Sequence, residues 1–102
     1  MNEDKEKSLE QYMDFSNKNL QNIMEFTKSL GNNVIEEKRQ HRLSYAKSLT
    51  FRVFADIKTN NQKILITLKK NRKENPITYT ISGGEDIGEI KNLIKEAYEK
   101  IS

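Results

Sequence analysis

The order of apolar and polar residues predicts a first helix over residues 5–30. Apolar or small side chains recur there at alternating steps of four and three, the spacing that aligns them along one side of a helix and that two-stranded coiled coils use. The residues on this line are Leu9, Met13, Ser16, Leu20, Ile23, Thr27, Leu30 and Val34. A second apolar line widens the face, so we expect this helix to contact two neighbours; it comprises Tyr12, Phe15, Met24 and Phe26.

The segment GNN at residues 31–33 predicts an interruption of this helix. Gly31 suits the left-handed position that follows a helix, and Asn33 suits the N-cap of a new one. We therefore predict a second helix over residues 34–47, with glutamates near its start and basic residues near its end, as the helix dipole favours. The sequence leaves open whether Gly31 bends one long helix or separates two.

The apolar period then changes to two, which predicts a β-hairpin over residues 49–70. The alternating apolar residues are Phe51, Val53, Ala55 and Ile57, followed by Ile64, Ile66 and Leu68. A two-residue turn at Asn60-Asn61 would set Ile57 opposite Ile64 and place all these side chains on one face. A slip of one residue in one strand would mix the two faces, so turn and pattern agree on this register.

A third strand and a last helix complete the predicted fold. Pro76 suits the start of an edge strand, and Ile77, Tyr79 and Ile81 continue the apolar face. The last helix is predicted over residues 86–101, with an apolar line formed by Ile87, Ile90, Ile94, Ala97 and Ile101. We expect this line to cover the apolar face of the sheet.

The predicted fold class is therefore α+β. An N-terminal helical arm of one bent helix or two precedes a three-stranded antiparallel β-meander, and a C-terminal helix packs on that sheet. The predicted division is a helical arm and dimerisation segment at 1–48 and a β-β-β-α domain at 49–102.

Composition predicts a homodimer. Of the 102 residues, 34% are apolar and 32% are charged, so one chain has little material for a core. A second copy packed along the first helix would cover its broad apolar face. The predicted dimer interface comprises Leu9, Met13, Leu20, Ile23 and Leu30.

Charge is distributed unevenly along the chain. Residues 34–84 hold 11 Lys or Arg against 4 Asp or Glu, whereas residues 1–33 hold 4 against 6 and residues 85–102 hold 3 against 5. The net charge of +3 thus conceals a strongly basic middle. In the predicted hairpin, Lys58 lies across from Lys63 and Arg52 across from Lys69, on the face away from the last helix. Facing like charges are unfavourable for folding, but they suit a bound polyanion.

The sequence therefore predicts contact with nucleic acid through this basic face. Cationic side chains would bind phosphates, and Phe54 would stack on a base. The segment KKNRK at 69–73 extends the basic surface. The predicted nucleic-acid-binding residues are Arg52, Phe54, Lys58, Lys63, Lys69, Lys70, Arg72 and Lys73.

An alternative interpretation assigns the same face no ligand. Exposed lysines protect sheets from pairing with other strands, and the first helix would cover Phe54 and Leu65. The protein would then be an adaptor or inhibitor of another protein, like the small regulators of phage and other mobile elements, acting through its first helix or a sheet edge. An exposed Phe54 would favour nucleic acid, whereas its burial under residues 12–26 would favour the adaptor.

Catalysis and bound cofactors are not expected. There is no Cys, and His41 is the only histidine, so the sequence offers neither a thiolate site nor a cluster of metal ligands. The segment GGEDIGE at 83–89 does not match a phosphate-binding loop. No apolar stretch approaches the roughly 20 residues that span a bilayer, and the start of the chain lacks the apolar segment of a signal peptide. We expect a cytoplasmic protein that does not contact membranes.

Overall fold

The computed structural model describes residues 17–39, 41–48, 51–60, 63–71, 73–82 and 87–101. These residues form two helices and a five-stranded sheet, in the order α1 (Lys18–Lys28), β1 (Val34–Lys38), β2 (Leu43–Lys47), β3 (Arg52–Asn60), β4 (Lys63–Leu68), β5 (Ile77–Ile81) and α2 (Gly88–Lys100). Each strand pairs antiparallel with the next, so the sheet order is β1-β2-β3-β4-β5. The α+β class is confirmed, with five strands instead of the predicted three.

The two additional strands replace the second predicted helix. Residues 34–47 form the hairpin of β1 and β2, which pairs from Val34 opposite Lys47 to Lys38 opposite Leu43. Pairing with β3 buries Leu43 and Tyr45 completely, and this burial outweighs the helical preference of the charged residues between the strands. Because β2 and β3 are hydrogen-bonded neighbours, the sheet continues across the predicted boundary at residue 48.

Helix α1 is capped at both ends. The side chain of Asn17 accepts a hydrogen bond from the Leu20 N–H at 3.2 Å, and Ser29 caps the other end. The helix thus ends before Gly31, whose backbone does not take the predicted left-handed conformation. Asn33 caps no helix either, because a strand begins at the next residue. The predicted part of this helix that precedes residue 17 lies outside the described residues.

Both described helices pack on the same face of the sheet and share one core. Ile94 and Ala97 of α2 are fully buried there, which confirms the predicted packing of its apolar side. Leu20 and Ile23 of α1 are also fully buried in this core. The Lys91 ammonium lies 5.6 Å from the centroid of the Phe26 ring and links the two helices.

This packing removes part of the predicted dimer interface. Leu20 and Ile23 lie inside the chain's own core and are therefore not available to a second chain, whereas Leu30 is partly buried against that core. The helix buries them against its own sheet, whose two extra strands were not expected. Leu9 and Met13 lie outside the described residues. A homodimer as such stays a prediction.

The pairing of β3 with β4 differs from the predicted register. Asn60 pairs with Lys63, so the connection consists of residues 61 and 62, and the predicted turn at Asn60-Asn61 is wrong. Ile57 consequently faces Ile66 instead of Ile64. Moving a two-residue turn by one position shifts the pairing by two residues, which keeps every side chain on its original face. In β4 and in the second half of β3, each side chain therefore lies on the face that the sequence predicted.

A β-bulge changes the alternation in the first half of β3. Tyr45 pairs with Ala55 and Ala46 with Val53, so Phe54 is an extra residue between two successive pairs. Such a bulge reverses the facing of all residues before it. Val53 thereby leaves the face of Ala55, while Arg52, which the register sets opposite Lys47, moves to the face that carries the helices.

Candidate functional site

The face of the sheet that points away from α1 and α2 carries the candidate site, and we call it the open face. Its residues alternate along the strands with the buried residues of the core. They are Ile35 and Glu37 of β1, Ser44 and Ala46 of β2, Val53, Asp56 and Lys58 of β3, Lys63, Leu65 and Thr67 of β4, and Thr78 and Thr80 of β5. The hydroxyls of Thr67 and Thr78 lie 2.9 Å apart and join β4 to β5.

Three of the predicted lysines belong to this face or to its margin. Lys58 and Lys63 are exposed, and Lys69 follows β4 in the same alternation and is half-buried. Among the described residues, none of these three lysines has a carboxylate partner within 4.0 Å, unlike Arg42 and Lys70. Their charges are therefore available to an external anion.

The predicted facing pairs of like charge do not form. Lys58 lies across from Leu65, and Lys63 lies across from Asn60. The cause is the two-residue shift in register, which makes Lys58 and Lys63 diagonal neighbours at a separation of about 7–8 Å between backbones. The repulsion that the sequence predicted is thus weaker, while the two charges stay close enough to contact neighbouring phosphates of one strand.

An acidic residue interrupts the open face. Asp56 accepts a hydrogen bond from the hydroxyl of Ser44, and the Nε atom of Arg42 lies 3.5 Å from the same carboxylate oxygen. Ser44 is buried, whereas half of the Arg42 side chain is exposed. Because Arg42 already neutralises Asp56, this carboxylate compensates little of the charge of the lysines.

Phe54 does not serve as the predicted stacking platform. Its side chain is fully buried, and its ring meets the ring of Tyr98 edge to face, with 5.4 Å between centroids and 72° between planes. The bulge at this residue turns the ring toward α2. The prediction of an exposed Phe54 is therefore wrong, and its ring partner is in α2 instead of in residues 12–26.

The other predicted contacts are distributed around the sheet. Lys70 pairs with Glu96 of α2 at 3.3 Å, on the helical side. Hydrogen bonds from Lys100 and from Lys70 hold the pKa of Glu96 below its ordinary value. Lys73 is exposed in the loop before β5, and Arg72 lies outside the described residues.

A cavity of about 410 Å³ opens beside the bulge and gathers Arg52 and Lys69 at one end of the sheet. Its other lining residues are Val53, Phe54, Ala55, Asp56, Thr67, Pro76 and Ile101. Arg52 therefore lies near Lys69. Its side chain leaves β3 on the face that carries the helices, whereas the sequence predicted the open face.

Phe51 is a candidate residue that the sequence pattern misplaced. Alternation with Val53 predicts that Phe51 is buried, but 75% of its surface is exposed. Its φ angle of 54° lies in the left-handed region, and its N–H donates to the carbonyl of Lys47 at 2.7 Å. An aromatic residue in this conformation is uncommon. No feature of the sequence marks it, since the turn depends on how β2 meets β3.

The arrangement offers cationic groups at two ends of one sheet. Lys58 and Lys63 stand at the end near the β3–β4 connection. Arg52, Lys69 and the exposed ring of Phe51 stand at the other end, about 20 Å away along β3 at the usual rise per residue. Such spacing matches an extended polyanion better than a small ligand.

The described residues do not assemble a cluster of metal ligands. Among them, no three His, Asp or Glu side chains are placed to hold a metal ion, and His41 is exposed. Tyr45 donates a hydrogen bond of 2.6 Å to Glu36, and burial, followed by this carboxylate, raises the pKa of Tyr45 far above its ordinary value. A tyrosine that stays protonated in the core is a structural group. Neither described helix has the length and apolar composition needed to cross a bilayer.

Comparisons with protein-family models, with curated proteins and with solved structures gave no match to this chain.

Proposed function

We propose that this chain is a small non-enzymatic accessory or regulatory protein that binds nucleic acid through its open face. Lys58, Lys63 and Lys69 would contact phosphates, and threonine hydroxyls of the same face would contact phosphate or sugar oxygens. Binding of this kind depends on backbone charge and discriminates little between base sequences.

The observation that carries the proposal is the lack of carboxylate partners around these lysines. Some charged side chains of the described residues form ion pairs, such as Lys70 with Glu96 and Arg42 with Asp56. The lysines of the open face do not, although Asp56 lies on the same face. A set of uncompensated cations on one surface attracts polyanions and accelerates their association.

The test measures binding of fluorescent single-stranded and duplex oligonucleotides by anisotropy as salt is varied. We expect binding at about 50 mM salt, where counterion release favours complex formation. The variant Lys58→Glu/Lys63→Glu should bind at least about tenfold more weakly. The slope of log K against log salt should decrease by about 0.7 for each lost phosphate contact on a single strand.

A matched control separates the open face from total charge. The variant Lys18→Glu/Lys95→Glu reverses two exposed lysines on the two helices and lowers the net charge of +3 by the same amount. It should bind nearly as well as the original chain. Equal losses in both variants, or no binding by the original chain at about 50 mM salt, would exclude the proposed interface. Circular dichroism verifies that both variants are folded.

Protein binding is the second candidate function, and two exposed apolar residues favour it. Phe51 is 75% exposed and Ile77 is 50% exposed, so each presents apolar surface that a partner protein would cover. An adaptor or inhibitor would use them to contact a partner protein. Capture from a cell lysate distinguishes the candidates: nuclease treatment removes partners held through nucleic acid, whereas a protein partner persists and is lost in Phe51→Ser.

A further inference from the structure

Strand β5 forms one edge of the sheet and lacks the protection that edge strands usually carry. No described strand pairs with its outer side. Its five residues, Ile77–Ile81, are uncharged and favour strands. Ile77 is half-exposed, and Thr78 and Thr80 are exposed. Natural edges are commonly blunted by lysines, proline or bulges within the strand, and here only Pro76 stands before it. Within the described part of the chain, the outer backbone groups of β5 are thus presented for pairing.

The sequence of β5, ITYTI, reads the same in both directions. Two copies of such a strand are complementary to each other when they pair antiparallel about a two-fold axis at Tyr79. In that register Ile77 faces Ile81 of the second copy, Thr78 faces its Thr80, and the two Tyr79 residues face each other. Apolar residues then meet on the helical face, and threonines meet on the open face, both of which are favourable cross-strand pairs.

The opposite edge of the sheet, strand β1, carries charged residues that oppose self-pairing. Strand β1 reads VIEEK, and the same antiparallel self-pairing would set Glu36 against Glu36 of the second copy. Like charges in facing positions oppose such pairing. Glu36 is also occupied by Tyr45 and lies 3.9 Å from Lys28. Only one of the two edges therefore supports self-association, which yields a closed dimer instead of an open chain of sheets.

From these two edges we infer that two copies of this chain pair through β5 and form a continuous ten-stranded antiparallel sheet. The two-fold axis stands perpendicular to the sheet at Tyr79, so the open faces of the two copies become one surface. This inference does not depend on nucleic-acid binding. If both hold, the dimer presents two sets of the lysines Lys58, Lys63 and Lys69 side by side.

The edge is short, which determines how the dimer has to be measured. Five residues per copy bury less than the about 1,200–2,000 Å² of a typical stable interface. We therefore expect a dimer that dissociates on dilution through the micromolar range. Sedimentation or light scattering of the full chain over a concentration series is the appropriate measurement.

A pair of charge variants tests the register as well as the dimer. In Thr78→Lys/Thr80→Lys, antiparallel pairing sets introduced lysines against each other at both positions, so the dimer should be lost. In Thr78→Lys/Thr80→Glu, each introduced lysine faces the introduced glutamate of the other copy, so the dimer should persist or strengthen. Both variants lose the same hydrogen bond between Thr67 and Thr78, which makes each the control for the other.

The chain contains no Cys, which allows a second measurement by disulfide formation. Tyr79→Cys places two thiols directly opposite each other, within reach of a disulfide. Thr80→Cys places them two residues apart along the strands, with Cα atoms beyond about 7 Å, where no bridge forms without movement. Covalent dimers should appear under oxidation for Tyr79→Cys and should be scarce for Thr80→Cys.

Three results would overturn the inference. They are a monomeric original chain at every concentration tested, a dimer that survives in Thr78→Lys/Thr80→Lys, and equal cross-linking of the two cysteine variants. A dimer that survives the paired lysines would instead point to residues outside β5. Because none of these readouts uses nucleic acid, their failure is distinguishable from failure of the proposed function.

Discussion

Tyr98 and Asn33 are joined by a hydrogen bond of 2.7 Å from the phenolic hydroxyl to the amide oxygen, which ties the last turns of α2 to the segment before β1. Lys47 lies against the same ring, with its ammonium 4.6 Å from the centroid, and donates to the carbonyl of Ile101 at 3.1 Å. Phe54 contacts the ring from the sheet. These contacts fix the end of α2 above the β1–β2 hairpin and the bulge.

Substitution of Gly31 tests how closely this cluster is packed. A Cβ atom at Gly31 would overlap the hydroxyl of Tyr98 and lie 2.7 Å from Oδ1 of Asn33. We expect Gly31→Ala to lower the free energy of unfolding by about 1–3 kcal/mol, as overpacked sites do. Urea denaturation measures this change.

The Tyr98→Phe background provides the control for Gly31→Ala. Removal of the hydroxyl deletes the nearest obstacle to the new methyl group, although the ring carbon at 3.2 Å remains. The cost of Gly31→Ala should therefore be smaller in this background than in the original chain. An equal cost in both would show that contact with Tyr98 is not its cause.

Tyr45 predicts a loss of stability at alkaline pH. Burial and Glu36 raise the pKa of Tyr45 in the folded chain, while the unfolded tyrosine keeps its ordinary pKa of about 10. Below pH 10 the Tyr45 hydroxyl is protonated in both the folded and the unfolded state, so its contribution to the free energy of unfolding is fully present. Above it the unfolded state loses its proton first, and the free energy of unfolding should fall by about 1.4 kcal/mol per pH unit.

The Tyr45→Phe variant isolates this effect. It cannot ionise at this position, so the difference in stability between the two chains should decrease as the pH rises above about 10. Urea denaturation between about pH 8 and pH 11.5 measures that difference. Parallel alkaline curves for the two chains would assign the loss to other groups.

Phe51 predicts opposite effects on stability and on binding. Glycine occupies the left-handed region without the steric cost that a Cβ brings, so Phe51→Gly should raise the free energy of unfolding by about 1 kcal/mol. Loss of the exposed ring should weaken binding of single-stranded oligonucleotides, since stacking on one aromatic contributes about 1–3 kcal/mol. Thermal melts and anisotropy measure the two effects.

Phe51→Ala distinguishes backbone strain from the ring. It removes the aromatic group but keeps a Cβ in the left-handed conformation. It should therefore bind as weakly as Phe51→Gly without the gain in stability. A gain in stability in Phe51→Ala would mean that exposure of the ring, and not the backbone, is unfavourable in the folded chain.

Asp56 predicts a gain of affinity when its charge is removed. Asp56→Asn keeps the shape of the side chain and leaves Arg42 without its charged partner beside the open face, so oligonucleotides should bind several-fold more tightly at low salt. Folding should be weakened by about 0.5–1.5 kcal/mol, because the hydrogen bond from Ser44 loses its charged acceptor. Ser44→Ala is the control, since it removes that hydrogen bond without a change of charge and should leave affinity unchanged.

The contrast between β4 and β3 shows how far sequence reasoning extends. The alternation of Ile64, Ile66 and Leu68 predicts their burial correctly. The pairs between β4 and β3 follow one another without a bulge, so successive residues keep alternating between the two faces. The same reasoning fails before Ala55, because the bulge inserts one residue and exchanges the faces. The predicted roles of Arg52 and Phe54 depended on which face each residue occupies before the bulge. Lys58 and Lys63 lie after the bulge, so their placement did not depend on it.

The hairpin of β1 and β2 shows a different limit. Its residues include charged side chains that suit a helix as well as a strand, and the local pattern favoured the helix. Pairing of β2 with β3 favours the strand conformation, because it buries Leu43 and Tyr45 and satisfies their backbone groups within a sheet.

The sequence alone determined the α+β class, the strands β4 and β5, the apolar side of α2 and the concentration of positive charge in the middle of the chain. These features depend on periodicity and composition, which are local properties. The tertiary structure decided the number of strands, the register of the central hairpin and the faces occupied by Phe54, Arg52 and Phe51. Those features depend on which strands meet and on where one extra residue is accommodated between them, and such energies arise only once distant segments are in contact.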